Sequence, residues 1–429
     1  MSLLALSTLL DFLYGFQVAS PDRKKAKFFL WLSVINNLGI LAVFKYYNFF
    51  ALQFQQGLEL LGLHTDPVLL DIALPIGISF YTFHGMSYVF DIYRQRQKPV
   101  SNFVEYAVFV SFFPLLVAGP IERASHLLPQ VRKKRVFDYS QALEGCRLML
   151  WGMFKKVVIA DTLAETVDKM FHSYQHYSGL SLILGAIAFS FQIYGDFSGY
   201  SDIALGTAKL FGFELLSNFK FPYFARDIAE FWRRWHISLS SWFRDYLYIP
   251  LGGSKQGKLR AVRNTFIIFI VSGFWHGASW TFIIWGFIHA VGFLPLLLLN
   301  RNRKNVSDVV AQNSKLPSLK ELWQMVTTFA FVTVAWVFFR AETLSLALNY
   351  LKRIGQDIAS HPNQLSQLEG KAVFPYIIPL VIGDWWLRRD ERRLRLVKSR
   401  AVRMLLYWVV AILILSKFTS NSSFIYFQF

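Results

Sequence analysis

Apolar residues fill runs of roughly 17–25 positions along almost the whole chain, and short basic loops separate them. The runs fall at about 2–18, 28–50, 68–92, 102–118, 140–162, 178–211, 262–300 as one or two elements, 322–340, 372–387 and 402–418. A helix rising about 1.5 Å per residue needs a run of that length to cross about 30 Å of hydrocarbon. The pattern predicts an all-α, polytopic transmembrane helical bundle of about 9–11 spans. No period of 20–50 residues repeats, and no Gly/Ser-rich or Pro-rich linker divides the chain, so residues 1–429 read as a single domain. The polar stretch His361–Gly370 reads as a surface loop.

Two stretches cannot be plain spans. The basic loops at Arg23–Lys25, Arg94–Lys98, Arg132–Arg135, Lys255–Arg263, Arg301–Lys304 and Arg388–Arg403 all belong on the cytoplasmic side by the positive-inside rule. The second and third of these are separated by one apparent span, and a single crossing cannot return to its own side. Between them, Ser111–Ile121 contains Pro114, Gly119 and Pro120, which predicts a broken or re-entrant element. The run Val262–Leu299 is too long for one span at about 1.5 Å per residue, and it should break at or near Gly277. Irregular backbone at membrane depth is tolerated where it lines a cavity, so the bundle should surround a central polar funnel.

Composition supports the membrane reading. The chain is 54% hydrophobic and 17% charged, against about a quarter charged in a soluble domain. Its net charge of +18 could suggest nucleic acid, but the Lys and Arg residues sit in loops beside apolar runs, which points to anionic lipid and no nucleic-acid partner. Cys146 is the only cysteine, which excludes an intramolecular disulfide and a Cys-rich metal site; no metal ligands are expected. Met1–Phe16 lacks a basic n-region and carries Asp11, so it reads as a span and not a cleaved signal.

Candidate chemistry gathers in two places. Glu230–Asp245 packs arginines, a histidine, hydroxyls and three tryptophans into one stretch, continued by a Pro and Gly-Gly turn ending at Gly253. As one helix it would put Trp232, His236 and Leu239 on one face. The bland alternative is an interfacial helix with an aromatic belt and snorkelling arginines. Four arginines, Arg226, Arg233, Arg234 and Arg244, argue that Phe219–Gly253 lies along or dips into the membrane without crossing it. The second place is His276, inside Gly273–Trp280 at the middle of an apolar run, where an imidazole must face the protein interior. His289 lies thirteen residues on, about 220° around an unbroken helix, and reads as a structural histidine.

The runs Glu230-Phe-Trp-Arg-Arg-Trp-His236, Tyr246-Leu-Tyr-Ile-Pro-Leu-Gly-Gly253 and Gly273-Phe-Trp-His-Gly-Ala-Ser-Trp280 resemble the signatures of the membrane-bound O-acyltransferase family. Gly195–Asp202, Asn218–Tyr223 and Pro75–Phe83 are similar to its bacterial branch, whose members O-acetylate alginate or transfer D-alanine to lipoteichoic acid, and the closing Phe424–Phe429 fits the alginate side better. Ser7–Gly15 resembles an internal helix of the family pattern, which usually opens with further apolar spans; a shortened start site and a loss of the first spans would each produce this.

The resemblance implies that His276 is the catalytic histidine and His236 the second one. It implies no bound cofactor, a cytoplasmic thioester donor such as acetyl coenzyme A or a charged carrier protein, a polysaccharide acceptor, and a cell-envelope acyltransferase or esterase-like partner. The location implied is the bacterial cytoplasmic membrane. Acyl transfer to a hydroxyl needs a base, which neutral imidazole supplies, so His276 is the expected base. His236, Asn218 and Ser279 are the expected donors to the developing oxyanion, with Trp235 and Trp275 walling the site. No local motif pairs a Ser or Cys nucleophile with a base, which favours direct transfer. The main rivals are D-alanyl transfer by the same chemistry, a secondary transporter, which should show two corresponding halves that the sequence lacks, and a scaffold that needs neither histidine.

Overall fold

The computed structural model describes residues 2–306, 308–360, 368–390, 397 and 399–418. Most of the expected loop at His361–Gly370, part of the last basic loop and the closing Phe424–Phe429 run lie outside the described residues. Every regular element among the described residues is helical. The chain divides into two compact units, Met1–Val136 with Gly277–Ser279, and Phe137–His276 with Trp280–Phe429.

The first unit holds α1 (Ser2–Val18), α2 (Arg23–Leu41), α3 (Tyr47–Leu60), α4 (Ile78–Tyr93), α5 (Phe103–Ser111), α6 (Phe113–Leu116) and α7 (Ala124–Arg132). Asp22 starts α2 by accepting the backbone N–H of Lys24 at 2.8 Å, the bond an N-cap makes. A short π-helical turn at Ala42–Tyr46 joins α2 to α3 as one apolar rod of 38 residues, Arg23–Leu60. The predicted run at 68–92 is helical only from Ile78, because Pro75 and Gly77, whose φ is 79°, hold the preceding chain out of the helix. Asp11 of α1 is buried and receives hydrogen bonds from Ser33 Oγ (2.6 Å) and Asn37 Nδ2 (2.9 Å) of α2, so its carboxyl is satisfied inside the unit.

The expected interruption between Arg94 and Arg132 is present. The helix α5 ends at Ser111, Pro114 sits in the first turn of α6, and an irregular strand of chain leads to α7. Arg132 at the end of α7 pairs with Glu105 in the first turn of α5 at 2.7 Å. The chain has therefore turned back beside its starting point, as a re-entrant element must.

The second unit begins with α8 (Tyr139–Met153), which passes through a seven-residue π-helical segment, Phe154–Ala160, into α9 (Asp161–His172). Its centre is α10 (Gly179–Leu210), 32 residues long and buried on every side over much of its length, as expected of a helix that is apolar all round. The α8 and α10 backbones touch: a Cβ on Gly152 would lie 2.5 Å from the Gly199 carbonyl oxygen, so both positions need glycine for the close approach. The π segment turns the consecutive Lys155 and Lys156 toward α10, where Lys155 meets Asp202 at 2.6 Å and Lys156 meets Asp196 at 2.7 Å.

Next come the short α11 (Ile228–Arg234) and α12 (Ile237–Phe243), then α13 (Lys258–His276) and α14 (Trp280–Leu298), the two halves of the long run, parted at the predicted Gly277. The unit closes with α15 (Leu319–Arg340), α16 (Leu344–Ser360), α17 (Phe374–Leu387) and α18 (Arg400–Lys417). Ser318 and Glu321 form a reciprocal capping box at the start of α15. Among the described residues, four helical stretches are long and apolar enough to cross a bilayer: Arg23–Leu60, Gly179–Leu210, Trp280–Leu298 and Leu319–Arg340. Other predicted spans occur as shorter or interrupted helices, and the chain is a helical membrane protein.

Candidate active site

The stretch Glu230–Asp245 does not form the continuous helix expected of it. Asp227 caps α11 by accepting the Glu230 N–H at 2.7 Å, and the helix stops seven residues on. His236 then adopts a left-handed conformation, φ 42° and ψ 55°, before α12 begins. A non-glycine residue there is strained and must be held by its surroundings. Three hydrogen bonds hold it: Lys220 N donates to Arg234 O (3.0 Å), Ile237 N to Asn218 O (2.9 Å), and Ser238 Oγ to Asn218 Oδ1 (2.6 Å). The break corrects the single-face reading of Trp232, His236 and Leu239 and sends His236 inward on its own. Neither α11 nor α12 is long enough to cross a bilayer, at about 1.5 Å per residue.

His236 and His276 come together. Their ring centroids lie 6.5 Å apart, with Trp275 beside both, 6.0 Å from His236 and 4.9 Å from His276. Phe197 of α10 stands edge-on to His236 at 4.6 Å, while Trp285 and Phe339 flank His276, each at 5.2 Å. Both imidazoles are buried. Neither ring nitrogen of His236 has a hydrogen-bond partner among the described residues, and the Nδ2 of Asn218 has none either. Orphaned donors of this kind, buried and close to a second imidazole, are what a polar substrate would satisfy. Burial alone pushes the His236 imidazole down, to about 3, which keeps it neutral and able to donate one N–H.

Trp235 sits beside the turn that carries His236. It is buried against Trp336 (5.0 Å) and stacked on Phe231 (5.6 Å), where it supports that turn. Ser279, whose amide donates to Gly277 O at 2.9 Å, lies in the segment that groups with the first unit. Among the described residues no cluster of His, Cys, Asp and Glu is arranged to hold a metal ion.

Sequence reasoning missed the charged floor. Glu230 is buried and accepts from Arg226 Nε (3.0 Å) and Arg234 Nη2 (2.7 Å), one four residues before it and one four after. The Glu230–Arg234 half has the spacing of a helix-face pair, while Arg226 reaches Glu230 from the chain ahead of α11. Arg233 instead donates to the carbonyls of Asn302 (2.9 Å) and Asn305 (3.0 Å). Beside this clamp is a cavity of about 540 Å³, where Lys220, Arg233, Arg234, Arg244, Arg388 and Arg389 outnumber Glu230 and Asp308. Arg388 donates to Ala311 O (3.2 Å) and Ser314 O (2.8 Å), both neutral acceptors. No signal in the sequence joined Arg388 to Arg233. A second, more apolar cavity of about 230 Å³ is lined by Trp232, Phe243, Tyr248, Phe269, Ser272 and Phe293, among others.

A helical membrane chain that buries two facing imidazoles near a basic cavity has the parts of a membrane acyltransferase. The chain belongs to the membrane-bound O-acyltransferase family, whose model matches residues 24–336, and it is an O-acyltransferase. It is 38% identical over 458 aligned residues to the "Probable alginate O-acetylase AlgI" of Pseudomonas putida, covering 100% of this chain and 90% of that protein. It is 37% identical over 358 residues to the peptidoglycan O-acetyltransferase of Helicobacter pylori, covering 77% and 65%. With the teichoic acid D-alanyltransferase of Bacillus subtilis it shares 31% over 228 residues, covering 50% and 57%. In several such alignments the chain spans less than two thirds of the relative's own length.

Proposed function

We propose that this enzyme transfers an acetyl group from a phosphate-bearing thioester, acetyl coenzyme A or a charged carrier protein, toward hydroxyls of an extracytoplasmic polysaccharide, working in the bacterial cytoplasmic membrane. The observation that carries the reading is the buried pair His236 and His276, 6.5 Å apart between aromatic walls. His276 takes the proton of the attacking hydroxyl as the new C–O bond forms, the C–S bond breaks, and the same proton passes to the departing thiolate. His236 and Asn218, whose buried donors lack partners among the described residues, stabilise the oxyanion. Trp275 screens the pair from lipid. The basic cavity receives the phosphates of the donor, whose charge the six cationic side chains complement.

The polysaccharide acceptor is supported by the relatives' names, alginate in one case and peptidoglycan in another. A cell-envelope partner that receives the acetyl group and passes it on completes the scheme. The deciding experiment uses the protein in lipid nanodiscs with acetyl coenzyme A, an oligosaccharide acceptor and a cell-envelope extract that supplies the partner. Acceptor-dependent release of free thiol, with label appearing in the saccharide, is expected; binding of the thioester with no thiol release would overturn the reading in favour of a transporter or scaffold. The Bacillus relative supports one second reading, D-alanyl transfer. A D-alanyl carrier thioester consumed in preference to acetyl coenzyme A would establish it.

A further inference from the structure

The third buried histidine of the second unit, His289, takes no part in the chemistry above, yet it is bonded to a side chain that borders both cavities. Its Nδ1 accepts the indole N–H of Trp232 at 3.3 Å, and its Nε2 has no partner among the described residues. An accepting Nδ1 fixes the neutral tautomer with the proton on Nε2. The ring is fully buried, edge-on to Trp232 at 5.0 Å and to Trp285 at 4.9 Å. Trp232 is the one aromatic residue among four, with Arg233, Ser240 and Arg244, that line both the 540 Å³ basic cavity and the 230 Å³ apolar one. Its indole packs against Phe269 (5.2 Å) and Trp285 (5.7 Å), and Trp285 in turn stands edge-on to His276 at 5.2 Å. Neither His236 nor His276 lines either cavity. Two indoles, one of them tied to His289, thus stand between the cavities and the proposed base.

We propose that His289 is a positioning residue for acyl transfer: it pins Trp232 as the wall between the basic and apolar cavities, and so restricts the group delivered to His276 to a short acyl chain. This rests on the acyl-transfer reading above. If the indole swings away, the apolar cavity opens onto the basic one, and its Phe243, Phe269 and Phe293 lining offers room for several more methylenes. A buried indole N–H without an acceptor is unfavourable, so the bond to His289 is what opposes the swing.

The test uses the full chain in nanodiscs and compares kcat/KM for butyryl and acetyl thioesters. His289→Phe keeps a flat ring but removes the acceptor, and should raise the butyryl-to-acetyl ratio at least tenfold. His289→Asn, which can present an oxygen near the place of Nδ1, should return the ratio most of the way to wild type. Trp232→Phe should raise it as much as His289→Phe, and the double substitution should add nothing further. A readout independent of turnover is the ¹⁵N indole resonance of Trp232, assigned by its loss in Trp232→Phe; it should shift in His289→Phe and return in His289→Asn. An unchanged ratio, or an unmoved resonance, in well-folded His289→Phe protein overturns the proposal. Wild-type protein that transfers no acyl group would overturn the acyl-transfer reading and with it the selectivity claim, while the resonance would still report whether His289 holds Trp232.

Discussion

At the scale of single residues, the two facing imidazoles make unequal demands. His276, enclosed by Trp275, Trp285 and Phe339, is the proposed base. His276→Ala should leave abundance and insertion close to wild type while acyl transfer falls by about 10²–10⁴-fold, the usual worth of positioned proton transfer. His276→Gln should be equally inactive, since an amide can hydrogen-bond but cannot take a proton at neutral pH. Wild-type turnover in folded His276→Gln protein would falsify the base assignment. His236→Ala should lower kcat without raising the donor KM if its N–H acts on the oxyanion alone; a raised KM with unchanged kcat would move it to donor binding. His276 was legible because an imidazole in the middle of an apolar run demands a reason. His236 was legible as a residue but not as a conformation, because its left-handed backbone is imposed by Asn218 and Lys220, which lie well before it in the chain.

At the scale of elements, α13 and α14 form an antiparallel pair whose backbones touch. A Cβ on Gly273 would collide with the Phe282 carbonyl, and one on Gly286 with the Phe269 carbonyl. Because no side chain can give way there, the backbones must part. Gly286→Val should therefore lower both thermal stability in detergent and activity, by moving the helix that ends in His276; Gly286→Val protein with wild-type melting temperature and turnover would refute the claim. The parting of these helices at Gly277 followed from length alone, since a run of that extent overshoots the bilayer. Their glycine contacts did not, because which glycines touch depends on how the two halves rotate after the break. The break also made the expected angle between His276 and His289 irrelevant, as they lie on different helices.

At the scale of the whole molecule, the charge pattern predicts orientation. The loops at Lys255–Arg263 and Arg388–Arg403 should face the cytoplasm, where a soluble thioester would be available. Reporter fusions after Gly257 and Arg389 should both read cytoplasmic, and an external signal from either would move the donor's approach to the other side. Arg388 and Arg389 also line the basic cavity with Arg244, so donor binding should weaken as salt rises. Arg244→Glu should raise the donor KM roughly tenfold, the effect of about 1.4 kcal/mol, with kcat little changed. The apolar runs gave the membrane class and the approximate helix positions, but a polar cavity assembled from residues 220, 244 and 388 has no periodicity for a linear pattern to reveal.

The π-helical segment Phe154–Ala160 acts as a phase marker for this architecture. A π turn accommodates more residues per turn than the α-helix on either side of it, and here that allows two neighbouring lysines to meet different aspartates on α10. Deleting one residue from the segment would let the backbone regain ordinary α pairing, so the helix itself would lose little. Because the wide turn already absorbs one residue beyond the α-helical count, the helix after it would keep nearly its present phase, and the loss would fall inside the segment, where at most one lysine could keep its partner. A substitution in this segment changes one side chain, whereas a change in its length alters which of its residues face α10. Its length carries more structural information than most of its side chains.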